Sequence, residues 1–219
     1  MNTAIVVSGP CLGEQEWLAL EDLAHACGTP VDVVRELVAE GLLTPVGPER
    51  FGGEELARMR RIRRLHCPLV TAVNGPAAGA GMSFALLGDM VLCARSAYFL
   101  QAFRRIGLVP DCGSTWLLPR LIGRARAIEL SLMGERLPAE KALEWGLVNR
   151  VYDDAALMDE AMKLAHELAN GPTVALSLIR KLYWDSPENS FEEQLNLEFE
   201  SQRVAGAAED FREGVTAFL

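Results

Sequence analysis

Between Pro68 and Gly88 the chain runs 21 residues without a charged side chain, and Asp89 closes the run. About 20 apolar residues can cross a bilayer as a helix, so length alone leaves a membrane span open. Two prolines, four glycines and Asn74 inside the run argue against one continuous helix. A strand over Pro68–Val73, a loop of small residues over Asn74–Gly81 and a buried helix over Met82–Gly88 account for the same stretch. A loop of that kind exposes backbone N–H groups at a helix start and lets a ligand approach them closely. Small residues there serve close packing equally well, and the octapeptide NGPAAGAG alone leaves both readings open.

Composition narrows the function classes. The chain has 219 residues, half of them apolar and 23% charged, which suits one large domain or a small one beside a medium one. A net charge of -9 argues against a general nucleic-acid binder, whose affinity rests mostly on neutralising phosphates, and leaves room for a local basic pocket for an anionic cofactor. Five cysteines (Cys11, Cys27, Cys67, Cys93, Cys112) form no C-x-x-C pair, and His25, His66 and His166 have no metal-ligand spacing. The expectation is a soluble cytoplasmic chain with reduced thiols, no metal site and no membrane attachment. Ala4–Val7 is too short an apolar run for a signal peptide, and residues 1–13 read as a flexible lead-in.

Two styles of sequence follow. Leu20, Leu23, Ala24 and Cys27 recur at helical spacing. Gly28-Thr29-Pro30 then stops one helix and starts another, and Val31, Val34, Leu37 and Val38 form the next stripe. An extended excursion over Leu42–Phe51 and a helix over Gly53–His66 complete a winged-helix outline. The segment WLALEDLAHACGTPVDVVRELVAEGLLTP…RFGGEELARMRRIRRL resembles the chaperone-modulator family, relatives of MerR-type regulators, over residues 15–65. The second helix carries Asp32, Glu36 and Glu40 against Arg35, a poor reader of DNA, which favours a protein-contacting module over residues 1–66. Arg58, Arg60, Arg61, Arg63 and Arg64 read as a solvated helix face.

From Cys67 the chain predicts strands at Met90–Cys93 and Ala97–Leu100. Helices follow at Arg124–Leu132, Ala139–Trp145, Ala155–Asn170, Pro172–Tyr183 and Phe191–Ala205. The sequence PLVTAVNGPAAGAGMSFALLGDMVLCARSAYF…RIGLVPDCGSTWLLPRLIGRARAIELSLMGERLPAEKALEWGLVNRV resembles the crotonase superfamily of enoyl-CoA hydratases and isomerases over residues 67–219. That resemblance implies an α/β fold: a ββα spiral with C-terminal helices that assemble trimers or dimers of trimers. The spiral would be incomplete, because residues 1–66 show no counterpart of the family's first strands, its adenine-gripping loop or its second enolate-stabilising amide. The small helical module would precede it.

The resemblance also implies the chemistry. Family members form a thioester enolate held by backbone N–H donors, the kind of preorganised stabilisation that dominates such reactions. By motif one donor falls on Ala80, with Gly79 and Gly81 beside it. The hydratases' two glutamates fall on Ser83 and Phe103, neither of which can act as general acid or base, so water addition is disfavoured. Asp111 stands where isomerases of this type place a proton-shuttling carboxylate, with Gly113 beside it and Phe99, Phe103 and Trp116 as expected apolar neighbours. Asp111 reads equally as a turn or cap residue ahead of a helix. The implied substrate is an acyl-CoA thioester, specifically a ring-epoxidised phenylacetyl-CoA, with catalytic Asp111 and Ala80 and substrate-binding Gly79, Gly81, Phe103 and Gly113. Coenzyme A would be part of the substrate, and no separate cofactor is expected. Two alternatives stand beside it: an aryl-CoA dehalogenase using Asp111 as nucleophile, and a catalytically impaired fusion acting as an interaction protein.

Overall fold

Leu69–Val73 is apolar or β-branched throughout, the pattern of a strand covered on both faces, and all five residues are buried. In the computed structural model, which describes residues 5–8 and 59–218, this strand (β2) is central to a parallel sheet. Its neighbours are β1 (Ile5–Ser8), β4 (Met90–Ala94) and, beyond β4, β7 (Arg150–Tyr152). The register sets Ile5 against Leu69, Val70 against Met90 and Leu92 against Arg150. Asn149 extends the last pairing, accepting from Val91 N–H at 2.6 Å and donating its own N–H to Val91 O at 2.8 Å.

A smaller sheet stands beside it. β3 (Pro76–Ala78) pairs parallel with β5 (Tyr98–Leu100), which pairs antiparallel with β6 (Arg136–Pro138). Between β3 and β4 lies the short helix α1 (Ala80–Ala85). A 3-10 turn over Ala102–Ile106 follows β5 and leads to α2 (Ser114–Ile122) and α3 (Arg124–Met133). The rest is helical: α4 (Ala139–Trp145), α5 (Leu157–Ala169), α6 (Thr173–Asp185), α7 (Phe191–Gly206) and α8 (Glu209–Phe218). Helix α5 covers β1, β2 and β4. It buries Leu157, Ala161, Leu164 and Ala165, the one-sided spacing of an amphipathic helix. Ser190 and Glu193 close a reciprocal capping box at the start of α7.

The α/β class expected from the sequence is the one observed. The uncharged stretch holds a strand and a short helix as anticipated, but the expected loop over residues 74–81 contains strand β3, and the helix runs Ala80–Ala85 in place of Met82–Gly88. No helix among the described residues is long and apolar enough to cross a membrane. The flexible lead-in expected over residues 1–13 is corrected at Ile5–Ser8, where backbone pairing with β2 makes a strand. The helical module expected over residues 1–66 lies outside the described residues from 9 to 58. Its last turn, residues 59–63, is helical and packs Met59 into the core.

Candidate active site

The strand–loop–helix segment builds one wall of the candidate site. Gly79 donates its N–H to Leu100 O at 2.9 Å, prolonging the β3–β5 pairing, and then turns into α1 with φ +54°. A side chain would be strained in that conformation, and a Cβ would come within 3.6 Å of Phe103 Cζ. Ala80 opens α1, so its amide is one of the first N–H groups of a helix, which have no acceptor within the helix itself. Gly81 follows it. The strand thus ends where a backbone donor and two residues without side chains come together.

The second wall is the turn from Asp111 to Ser114. Cys112 (φ +49°) and Gly113 (φ +78°) reverse the chain into α2. Positive φ at a cysteine is uncommon, and such strain persists only where the surroundings fix it. What fixes it is the Asp111 carbonyl, which accepts from Ser114 N at 3.0 Å, Ser114 Oγ at 2.8 Å and Ser83 Oγ at 3.2 Å. Ser83 is fully buried on α1, and its hydroxyl also lies 3.4 Å from Gly79 O. One hydroxyl therefore sits between the turn that carries the Ala80 amide and the turn that carries the Asp111 carboxylate.

Phe103 is buried on the 3-10 turn, its ring against the open side of Gly79. That turn is held in place by Arg104, which donates to Leu132 O and Met133 O at 2.5 and 3.0 Å, and by Arg105, which donates to Gly134 O at 2.9 Å. These arginines satisfy carbonyls left over at the end of α3.

The expected site residues therefore fall into one connected group. Gly79, Ala80, Gly81 and Phe103 form one part, Asp111 and Gly113 the other, and Ser83 joins them. The apolar surround expected for Asp111 is corrected: Asp111 is exposed. Phe99 is fully buried in the core, and Trp116 stacks on Trp184, ring centroids 6.1 Å apart and planes 3° apart. The bridging role of Ser83 was not anticipated. Its signal was available, since it is the one hydroxyl in an otherwise apolar helical run, and a buried hydroxyl needs a partner.

Other nucleophiles are weaker candidates. The buried Cys93 thiol on β4 is pushed up to about 12, first by burial and then by the charge of Glu140, so it stays protonated near neutrality. Burial also raises Cys67. Among the described residues no cluster of His, Cys, Asp or Glu could hold a metal ion.

Comparison with known proteins identifies the architecture. The enoyl-CoA hydratase/isomerase family model matches residues 47–219. The chain is 49% identical over 180 residues to 1,2-epoxyphenylacetyl-CoA isomerase of Escherichia coli K12, covering 80% of this chain and 69% of that protein. It is 38% identical over 143 residues to carnitinyl-CoA dehydratase of the same strain, covering 65% of this chain and 55% of the relative. The crystal structure of enoyl-CoA hydratase/isomerase from Cupriavidus metallidurans CH34 superposes with a TM-score of 0.73 at 31% identity, covering 86% of this chain and 70% of that one. The strand–loop–helix wall, the Asp111 turn and these likenesses place the chain in one group: it belongs to the enoyl-CoA hydratase/isomerase family, the crotonase superfamily.

Proposed function

We propose that the chain is an acyl-CoA isomerase that works through a thioester enolate, with a ring-epoxidised phenylacetyl-CoA as substrate. The observation that carries this reading is the Ser83 hydroxyl, within hydrogen-bond reach of both Gly79 O and Asp111 O. It links the backbone of the turn that carries the Ala80 amide to the backbone of the turn that carries Asp111, so the two stand side by side as enolate chemistry needs. The Asp111 carboxylate takes a proton from the carbon beside the thioester, and the electron pair moves onto the carbonyl oxygen. The Ala80 N–H meets that oxygen as it becomes anionic. The pair then moves back through the carbon beside the thioester into the strained ring, the carbon–carbon bond shared by epoxide and six-membered ring opens, and Asp111 returns the proton to a ring carbon, so bonds are rearranged and the product keeps the substrate's atoms. Gly79 and Gly81 leave room for the thioester, Phe103 walls its near side, and Gly113 gives the Asp111 turn its reversal.

Isomerisation is favoured over hydration because Ser83 and Phe103 occupy the two positions where family hydratases carry glutamates. Neither can activate water. The acyl group is inferred from the 49% identity to the Escherichia coli isomerase, whose name specifies an epoxyphenylacetyl-CoA. Exposed Phe191, Leu195, Phe199, Phe211 and Phe218 on α7 and α8 support assembly of this chain with further copies.

Turnover of a ring-epoxidised phenylacetyl-CoA tests the reading, with Asp111→Asn beside the parent chain. Isomerisation by the parent and a loss of about 10²- to 10³-fold in the variant, with binding by calorimetry retained, is the expected result. Absence of both binding and isomerisation in the parent sinks the proposal.

A further inference from the structure

Arg180 on α6 is buried, only 5% exposed, and its guanidinium makes four hydrogen bonds. Nε donates to Asp89 Oδ2 at 2.6 Å, Nη1 to Arg63 O and Leu65 O at 2.8 Å each, and Nη2 to Ile62 O at 2.9 Å. The Ile62 and Arg63 carbonyls end the helical turn of residues 59–63 and Leu65 follows it, so one distant arginine caps the turn and holds the chain that leaves it. Asp89 is shared in turn. Its Oδ2 also accepts from Leu69 N at 2.7 Å, and its Oδ1 accepts from Trp184 Nε1 at 2.7 Å. The starts of β2 and β4, the end of the 59–63 turn and helix α6 all meet at this ion pair.

Two contacts lead from it to the Asp111 turn. The Trp184 indole stacks on Trp116, in the first turn of α2. Met59, on the capped turn, has its Cε 3.5 Å from where a Cβ on Gly113 would lie. Arg63 links both lines, donating to Trp184 O at 3.3 Å and lying 5.8 Å over the Trp116 ring. A buried ion pair is weak evidence for stability, since desolvation offsets much of its attraction. A pair that fixes the orientation of an aromatic column has a second use.

We propose that the Asp89–Arg180 pair, acting through Trp184, Trp116 and Met59, is a positioning device for the turn that carries Asp111. It rests on the isomerase reading above. The connection before Asp111 is exposed, so on this side the turn takes its placement from the indole stack and the methionine, as it does from Ser83 on the other.

The test uses the full chain, with turnover, KM and melting temperature measured together. Trp184→Phe keeps a ring but loses the donor to Asp89, and Arg180→Lys keeps the charge but cannot reach three carbonyls. Each is expected to lower kcat about ten-fold with KM for the acyl-CoA held within about two-fold, because a small misplacement of a reacting group is costly. Trp116→Leu should behave likewise, and Trp116→Phe should recover most of the loss. An unchanged kcat in folded Trp184→Phe, or a kcat loss that only tracks the folded fraction, overturns the proposal. If Arg180→Lys does not fold, Trp184→Phe decides alone. Asp111→Asn separates the two claims: full turnover in that variant defeats the isomerase reading, whereas loss there with normal Trp184→Phe defeats only the positioning device.

Discussion

The two walls of the site are built in opposite ways. Leu69–Leu87 runs through the core: all of β2 is buried, as are Ala77, Met82, Ser83, Leu86 and Leu87. Arg104–Gly113 runs over the surface, with Ile106, Leu108 and Val109 exposed to 68%, 59% and 79%. The first wall presents backbone, whose direction is set by pairing and packing. The second carries the Asp111 side chain on a turn whose backbone is held by three hydrogen bonds to the Asp111 carbonyl and touched by Met59 at Gly113. Under the isomerase proposal, a backbone donor set in the buried part would stabilise charge and an acid on the exposed turn would move the proton.

The comparison can be broken most sharply at Gly88, on the buried side. A Cβ there would lie 2.5 Å from Thr71 Oγ1 and 2.9 Å from Thr71 Cγ2, and that hydroxyl donates to Ala85 O at 2.9 Å. Gly88→Ala should cost about 2 to 3 kcal/mol in urea unfolding, as overpacked core positions do. A cost near zero would mean that this wall is as yielding as the other.

A smaller effect is expected where the walls meet. Ser83→Ala removes the hydroxyl shared between Gly79 and Asp111, and should cost about 1 to 2 kcal/mol in stability for a lost buried hydrogen bond. Its kcat should fall by about ten-fold with little change in KM, since the donor and the acid lose their common anchor. Equal kcat in Ser83→Ala and the parent would leave the two turns independent.

The smallest effect belongs to the surface wall. Val109→Ser should change stability of the isolated chain by less than about 0.5 kcal/mol, because that side chain is already in water. A larger destabilisation that grows with protein concentration would show that another copy covers it.

Legibility followed the same division. Helices α3 to α7 were readable within a few residues because one-sided apolar spacing and glycine or proline stops are local signals. Strand β3 was not: Pro76-Ala77-Ala78 has no strand propensity, and pairing with Tyr98–Leu100 makes it a strand. Strand β1 was hidden similarly, since its partner Leu69–Val73 lies far along the chain. In the site, the residues from Gly79 to Gly81 and Asp111 could be singled out by motif. The surroundings of Asp111 could not, because the direction of Trp116 is decided by Trp184 on a distant helix. The Arg180 cap was equally invisible, as it joins three carbonyls that no side-chain pattern reveals.

The central claim is that an amide at Ala80 and the carboxylate of Asp111 act on one thioester. Exchange of the protons beside the thioester of phenylacetyl-CoA with heavy water, followed by mass spectrometry, measures that directly. The account predicts enzyme-dependent exchange in the parent chain and its loss in Asp111→Asn. No exchange above the buffer rate, or the same exchange in both proteins, would contradict it.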